Sequence, residues 1–197
     1  MVINFHNAID RRKAVLDMRK TSLDNLKNRL KLSEGIEFAV SEIREVVNSR
    51  KKGEKVGLEK LDFLDKIKGS IVYIFEISDN TIKPSLLDKM AFYRSKENKD
   101  INGDDLRRST AKIPISAKTN KSDVLYVGSV EDCIHSRIRQ HLGLGHSKTF
   151  ALQIKHWAAK DWRFKFYYIE IGNVNVSRDV EAAISEELNP LVGKREK

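Results

Sequence analysis

At 197 residues the chain can fill one good core with an appendage, or two small domains, and its 40% hydrophobic and 33% charged content fits a globular protein with a heavily solvated surface. The single cysteine, Cys133, excludes a disulfide framework and a cysteine-only zinc cage and fits a reducing, cytoplasmic setting. No apolar run is long enough to span a membrane, residues 1–20 carry no signal-type apolar core, and the net charge of +9 favours a polyanionic partner without bearing on fold.

Residues 5–52 read as helical. Ile9, Leu16, Leu23 and Leu30 recur at heptad spacing with Phe5 and Leu26 in companion positions, while Arg12 and Arg19 interrupt the seam. Gly35 marks a break, after which Ile36, Val40, Ile43 and Val47 stripe a second helix. A helical hairpin packed on the rest of the chain and a dimer through these helices are both open, the hairpin favoured because two short heptad runs are marginal alone. Residues 1–68 thus form an N-terminal helical region for docking or oligomerisation. Charge does not set it apart, with 16 Lys/Arg against 11 Asp/Glu there and 21 against 17 in residues 69–197.

From Gly69 the pattern becomes mixed. "SIVYIFEI" (70–77), "VLYVG" (124–128) and "RFKFYYIEI" (163–171) are β-branched or aromatic runs bounded by turn residues, and predict three strands. Helices are expected at about 133–142, 148–160 and 178–188, the last stopped by Pro190. Residues 78–122 form an insertion with one short helix near 86–96 and much polar sequence, equally suited to substrate contact or to surface decoration. Trp157, Phe164, Phe166 and Tyr168 read as core, with Arg163 and Lys165 alternating outward. Cys133, His135, His146 and His156 lack zinc-site spacing.

The chemistry concentrates after the second strand. Arg137 and His141 stand one helical turn apart on one face. A guanidinium offers a planar pair of donors that suits a phosphate and holds its proton, and an imidazole moves protons near neutral pH. Upstream, Tyr126 leads to Gly128, where backbone can approach a ligand closely. Glu181, on the apolar side of the last helix, is a carboxylate suited to one metal ion.

In this order the residues resemble the GIY-YIG nuclease family over residues 69–197. "IVY" (71–73) stands at the first motif, with Ile71 in place of its glycine. "YVG" (126–128) stands at the second, then Arg137, His141 and the helical Glu181, while Asn189 precedes Pro190 instead of following it. The resemblance implies an α+β fold, a small three-stranded antiparallel sheet flanked by helices, and metal-dependent hydrolysis of phosphodiesters, with DNA the preferred nucleic acid. The implied site comprises Tyr73, Tyr126, Arg137, His141 and Glu181. Glu181 would hold one Mg²⁺ (or Mn²⁺), Arg137 would contact the phosphate, and Tyr73 with a lowered pKa, or His141, would be the general base. Gly128, Arg139 and Lys148 are expected to contact substrate. A nuclease-like module that binds nucleic acid or a protein partner without cutting is the alternative.

Overall fold

The computed structural model describes residues 13–14, 17–18, 20–21, 31–44, 57–95, 109–146, 148–172 and 174–193. Strands β1 (Ile36–Ala39), β2 (Ile71–Ile77), β3 (Val124–Val130) and β4 (Arg163–Glu170) form one sheet in the order β1-β4-β2-β3, every pair antiparallel. The α+β class stands, but the sheet has four strands where three are expected.

The extra strand comes from the region read as helix. Ile36, Val40 and Ile43 do fall at helical spacing, yet Ile36 and Phe38 also alternate at strand spacing, and four residues are too few to separate the two periods. The sheet decides, because the outer edge of β4 would otherwise be unpaired. Ile36 opposes Phe166 and Phe38 opposes Phe164, and Val40–Glu42 turns into a single 3-10 turn. The heptad positions Ile9, Leu16, Leu23 and Leu30, and with them the hairpin and dimer alternatives, lie outside the described residues. A boundary at 68/69 is crossed by the core itself. Phe38, Val40, Leu58, Leu61 and Leu64 are buried with residues of β2 and β4, the last three from a 3-10 helix at Glu59–Lys66 and its approach.

β2 lies in the middle and is apolar on both faces, as its near-continuous run of β-branched and aromatic residues requires. Ile71, Tyr73, Phe75 and Ile77 point into a large core with Phe164 and Phe166. Val72 and Ile74 point the other way, onto Val176 and Val180 of the last helix. Three helices cover the large core: α1 (Lys83–Arg94), with Pro84 in its first turn, α2 (Ile134–Leu142) and the short α3 (Ile154–Trp157). Among the described residues, helix α4 (Val174–Leu188) is the one that covers the opposite face.

α1 fixes part of the insertion in the fold through Leu86, Leu87 and Met90, and Ala111 and Ala117 join the same core. The helix expected over 148–160 shrinks to one turn. Ala151 bridges Thr110, Gln153 takes a positive φ of 55°, and Ala158 is extended. No helix among the described residues is long and apolar enough to cross a membrane.

Phe38 tests the placement of β1. Its ring is fully buried, so Phe38→Ala should cost about 3–5 kcal/mol in urea unfolding. A loss below about 1 kcal/mol would place residues 36–39 outside the core, since surface changes usually stay within about 0.5 kcal/mol.

Candidate active site at the edge of the sheet

β3 is an edge strand, and a bulge adjusts which of its side chains point where. Phe75 opposes Tyr126 while Glu76 opposes Val124, so Leu125 is the extra residue. From there Tyr126 and Gly128 lie on the Tyr73 side of the sheet, and Val127 and Ser129 on the α4 side. The segment after α4 returns along the start of this edge, where the N–H groups of Leu191 and Val192 donate to the carbonyls of Val124 and Leu125 (2.9 and 3.0 Å). Beyond that cover, β3 opens on a cleft of about 1040 Å³, which draws residues from both faces: Tyr126, Arg137 and Phe150 from one, Ser129, Arg178 and Glu181 from the other.

Gly128 sits directly opposite Tyr73. A Cβ there would lie 2.6 Å from the Tyr126 ring and 2.7 Å from the Tyr73 hydroxyl. The glycine makes room for two phenols, a role different from the expected backbone approach to a ligand.

The Tyr73 hydroxyl joins β2 to α2. Its oxygen lies 2.9 Å from His141 Nε2, and Arg137 Nε donates to it at 3.3 Å. The Leu152 N–H donates to His141 Nδ1 (3.1 Å). Nδ1 therefore carries no proton, and neutral His141 bears its hydrogen on Nε2, donating to Tyr73. Tyr126 lies beside this group, its ring stacked against that of Tyr73 with centroids 6.2 Å apart. Arg137 is fixed further through Nη1, to Gln140 Oε1 (3.0 Å) and to the Phe150 carbonyl (3.2 Å).

Burial sets the protonation states. It pushes the Tyr73 phenol far above its ordinary value, reinforced by Tyr126 and opposed by Arg137. Burial thus outweighs the Arg137 cation at Tyr73, where a lowering by metal or cation is expected, and the ring is fully buried and does not line the cleft. Burial also raises Tyr126, with Arg137 opposing and Glu181 adding to the rise. His141, wholly enclosed and beside Arg137, is held well below the ordinary histidine range.

On the α4 side, the Ser129 hydroxyl donates to Glu181 Oε2. Among the described residues no group of three His, Cys, Asp or Glu side chains converges. One carboxylate beside a hydroxyl does not suit zinc, which takes three or four protein ligands. It does suit Mg²⁺, which keeps several waters and takes one or two carboxylates with substrate phosphate.

The expected residues divide by position. Tyr126, Arg137 and Glu181 meet at the cleft, and Tyr73 and His141 stand behind them. Arg139 is on the other side of α2 at 7% exposure and does not line the cleft. Lys148 is exposed outside it, engaged at its backbone N–H by His146 Nδ1 (3.1 Å). Neither is placed to touch a ligand there. Cleft residues beyond those expected include Arg94, Lys112, Arg178 and Asn189. Arg94 donates to the Ala111 carbonyl (3.0 Å), and Arg178 Nε lies 3.3 Å from Glu131. The isolated apolar-to-basic steps at Tyr93-Arg94 and Ala111-Lys112 gave no local signal for this. Four cations against Glu181 and Glu186 make the cleft wall basic. Comparison with protein-family models, curated proteins and solved structures gives no match.

Two predictions concern the scaffold of the site. Gly128→Ala must displace a phenol ring or the strand, and should lower stability by about 1–3 kcal/mol in thermal or urea unfolding. His141 makes stability pH-dependent. Its folded pKa lies below the unfolded one, so the unfolded chain binds the extra proton, and the contribution is complete above about pH 6.5 and is lost as pH falls. The stability advantage of wild type over His141→Gln should shrink below about pH 6.5, by up to about 1.4 kcal/mol per pH unit. An advantage that is constant from neutral to acid pH would show that His141 is not buried in its neutral form.

Proposed function

We propose that the chain is a metal-dependent endonuclease that hydrolyses phosphodiester bonds in nucleic acid, DNA by preference, in the manner of the GIY-YIG nucleases it resembles. The observation that carries this reading is the meeting of Arg137, Tyr126 and Glu181 in one basic cleft at the edge of β3. Two sheet faces contribute to it, so the convergence is not a by-product of one helix surface.

Mg²⁺, held by Glu181 with its remaining positions open to water and phosphate oxygen, would supply the charge that offsets the build-up on the phosphate and leaving oxygen. The chain's own residues do the rest. Arg137 binds the non-bridging oxygens, and its hydrogen bonds to Tyr73, Gln140 and Phe150 fix the guanidinium before substrate arrives. Tyr126 keeps its proton at neutral pH and orients the attacking water by hydrogen bonding; neither phenol nor His141 is the base, and the proton of that water, which bound Mg²⁺ would acidify, would pass to solvent in the open cleft. Tyr73 and His141 hold Tyr126 and Arg137 in position from the core. Ser129 orients the Glu181 carboxylate. Arg94, Lys112 and Arg178 attract the polyanion along the cleft, which makes binding salt-dependent.

Nicking of supercoiled plasmid, and cutting of labelled oligonucleotides with Mg²⁺ or EDTA, tests this. Wild type should cut only with metal, Glu181→Gln should not cut, and Arg137→Ala should lose about 10²–10³-fold in rate. Tyr126→Phe should lose more than Tyr73→Phe at equal amounts of folded protein. Salt-sensitive binding without cutting by the wild type would make the chain a nuclease-like binding module instead.

A further inference from the structure

Phe150 is a large aromatic side chain left 69% exposed on the cleft wall, outside both cores. Its backbone is tied down on each side. Its carbonyl accepts the Arg137 guanidinium, the Ala151 carbonyl accepts the Ala111 N–H (2.9 Å), and the Leu152 N–H is committed to His141. Ala151 also bridges Thr110, and Ala111, whose carbonyl anchors Arg94, lines the same cleft as Phe150. The backbone that carries the ring is thus fixed beside the group that binds phosphate in the reading above, and the side chain shares the cleft wall with two further cations, Arg94 and Lys112.

A fixed, exposed aromatic ring beside phosphate-directed cations has the composition of a surface that tracks single-stranded nucleic acid. The cations follow the backbone, and the ring stacks on a base, whose π-face is available whatever the sequence. In an intact duplex each base is covered on both faces by its neighbours, and the ring could stack only after a base is unstacked. Resting on the phosphate reading of the cleft, we propose that Phe150 is a stacking platform for one unpaired base beside the bound phosphate. The substrate class is then nucleic acid that is single-stranded or carries an unpaired nucleotide.

The test measures affinity by fluorescence anisotropy with Ca²⁺ in place of Mg²⁺, for a labelled single strand, its intact duplex, and the duplex with one bulged 2-aminopurine. Wild type should prefer the single strand and the bulge, and should quench the 2-aminopurine. Phe150→Ala should weaken those two by about 5- to 150-fold, the range that one stacked base supplies, leave the duplex nearly unchanged, and abolish the quenching. Phe150→Trp should retain both. Phe150 is exposed, so its replacement should leave the melting curve in place. Arg137→Ala reports on the phosphate reading separately and should weaken all three ligands. If Arg137→Ala does so while Phe150→Ala changes nothing, or weakens all three equally, the stacking platform is overturned and the phosphate reading stands. If wild type binds none of the three, both are overturned.

Discussion

The hydroxyl of Tyr73 is the atom on which the arrangement of the cleft depends. It lies inside the core, where an unsatisfied polar group costs about 1–3 kcal/mol, and its oxygen is met by His141 and Arg137. Those partners determine what surrounds it. His141 must bear its hydrogen on Nε2, so Nδ1 needs a donor, and the chain supplies the Leu152 N–H. That commits residues 149–152 to a fixed path beside α2, which also brings the Phe150 carbonyl to Arg137. One phenol therefore connects the central strand, the helix that carries Arg137 and the segment that forms a cleft wall. A group so completely enclosed does not reach the cleft, and of the two tyrosines Tyr126 is the one that lines it.

A second constraint comes from the sheet's edge. Side chains on opposite faces of a sheet are separated by its hydrogen-bonded backbone, and a cleft that draws a cation from one side and a carboxylate from the other must wrap round an edge. β3 offers such an edge. The segment at Leu191 and Val192 covers its beginning, and the part lined by Val127 and Ser129 opens into the cleft. An unpaired edge invites association with other strands. Here its surroundings are arginines, lysine and two glutamates, which discourage strand pairing and suit a charged ligand.

Much of this was legible from local patterns. β2, β3 and β4 were marked by β-branched and aromatic runs, and α2 by Arg137 and His141 on one face, ended by Gly143 at a φ of 97°. The i and i+4 spacing placed those two side chains together, although the residue they meet, Tyr73, is 64 positions from Arg137 and 68 from His141. β1 was not legible, because Ile36, Val40 and Ile43 satisfy the helix period while Ile36, Phe38 and Val40 satisfy the strand period, and β4, more than 120 residues later, selects between them. The 148–160 segment failed for a related reason. Its helical propensity is real, but Ala151 and Leu152 are claimed by Thr110 and His141, and tertiary hydrogen bonds outweigh a propensity of a few tenths of a kcal/mol per residue, roughly. The burial of Tyr73 and Arg139 depends on packing that no short window contains.

Arg137 shows how the demands of folding and of chemistry coincide. A guanidinium half-enclosed by two phenols, a glutamine and a carbonyl would be costly to hold in place for structure alone, since long charged side chains lose about 2 kcal/mol of rotamer freedom when ordered. Once ordered, it needs no rearrangement to meet an anion. Donors that are already aimed stabilise developing charge more than donors that must turn toward it, because reorganisation is the larger part of what solvent would otherwise impose. The scaffold meets that ordering cost through Tyr73 and His141, both buried and both remote from ligand. Under the proposed reading, their place in the sequence pattern follows from what they hold in position, Arg137 and the cleft wall, from inside the core.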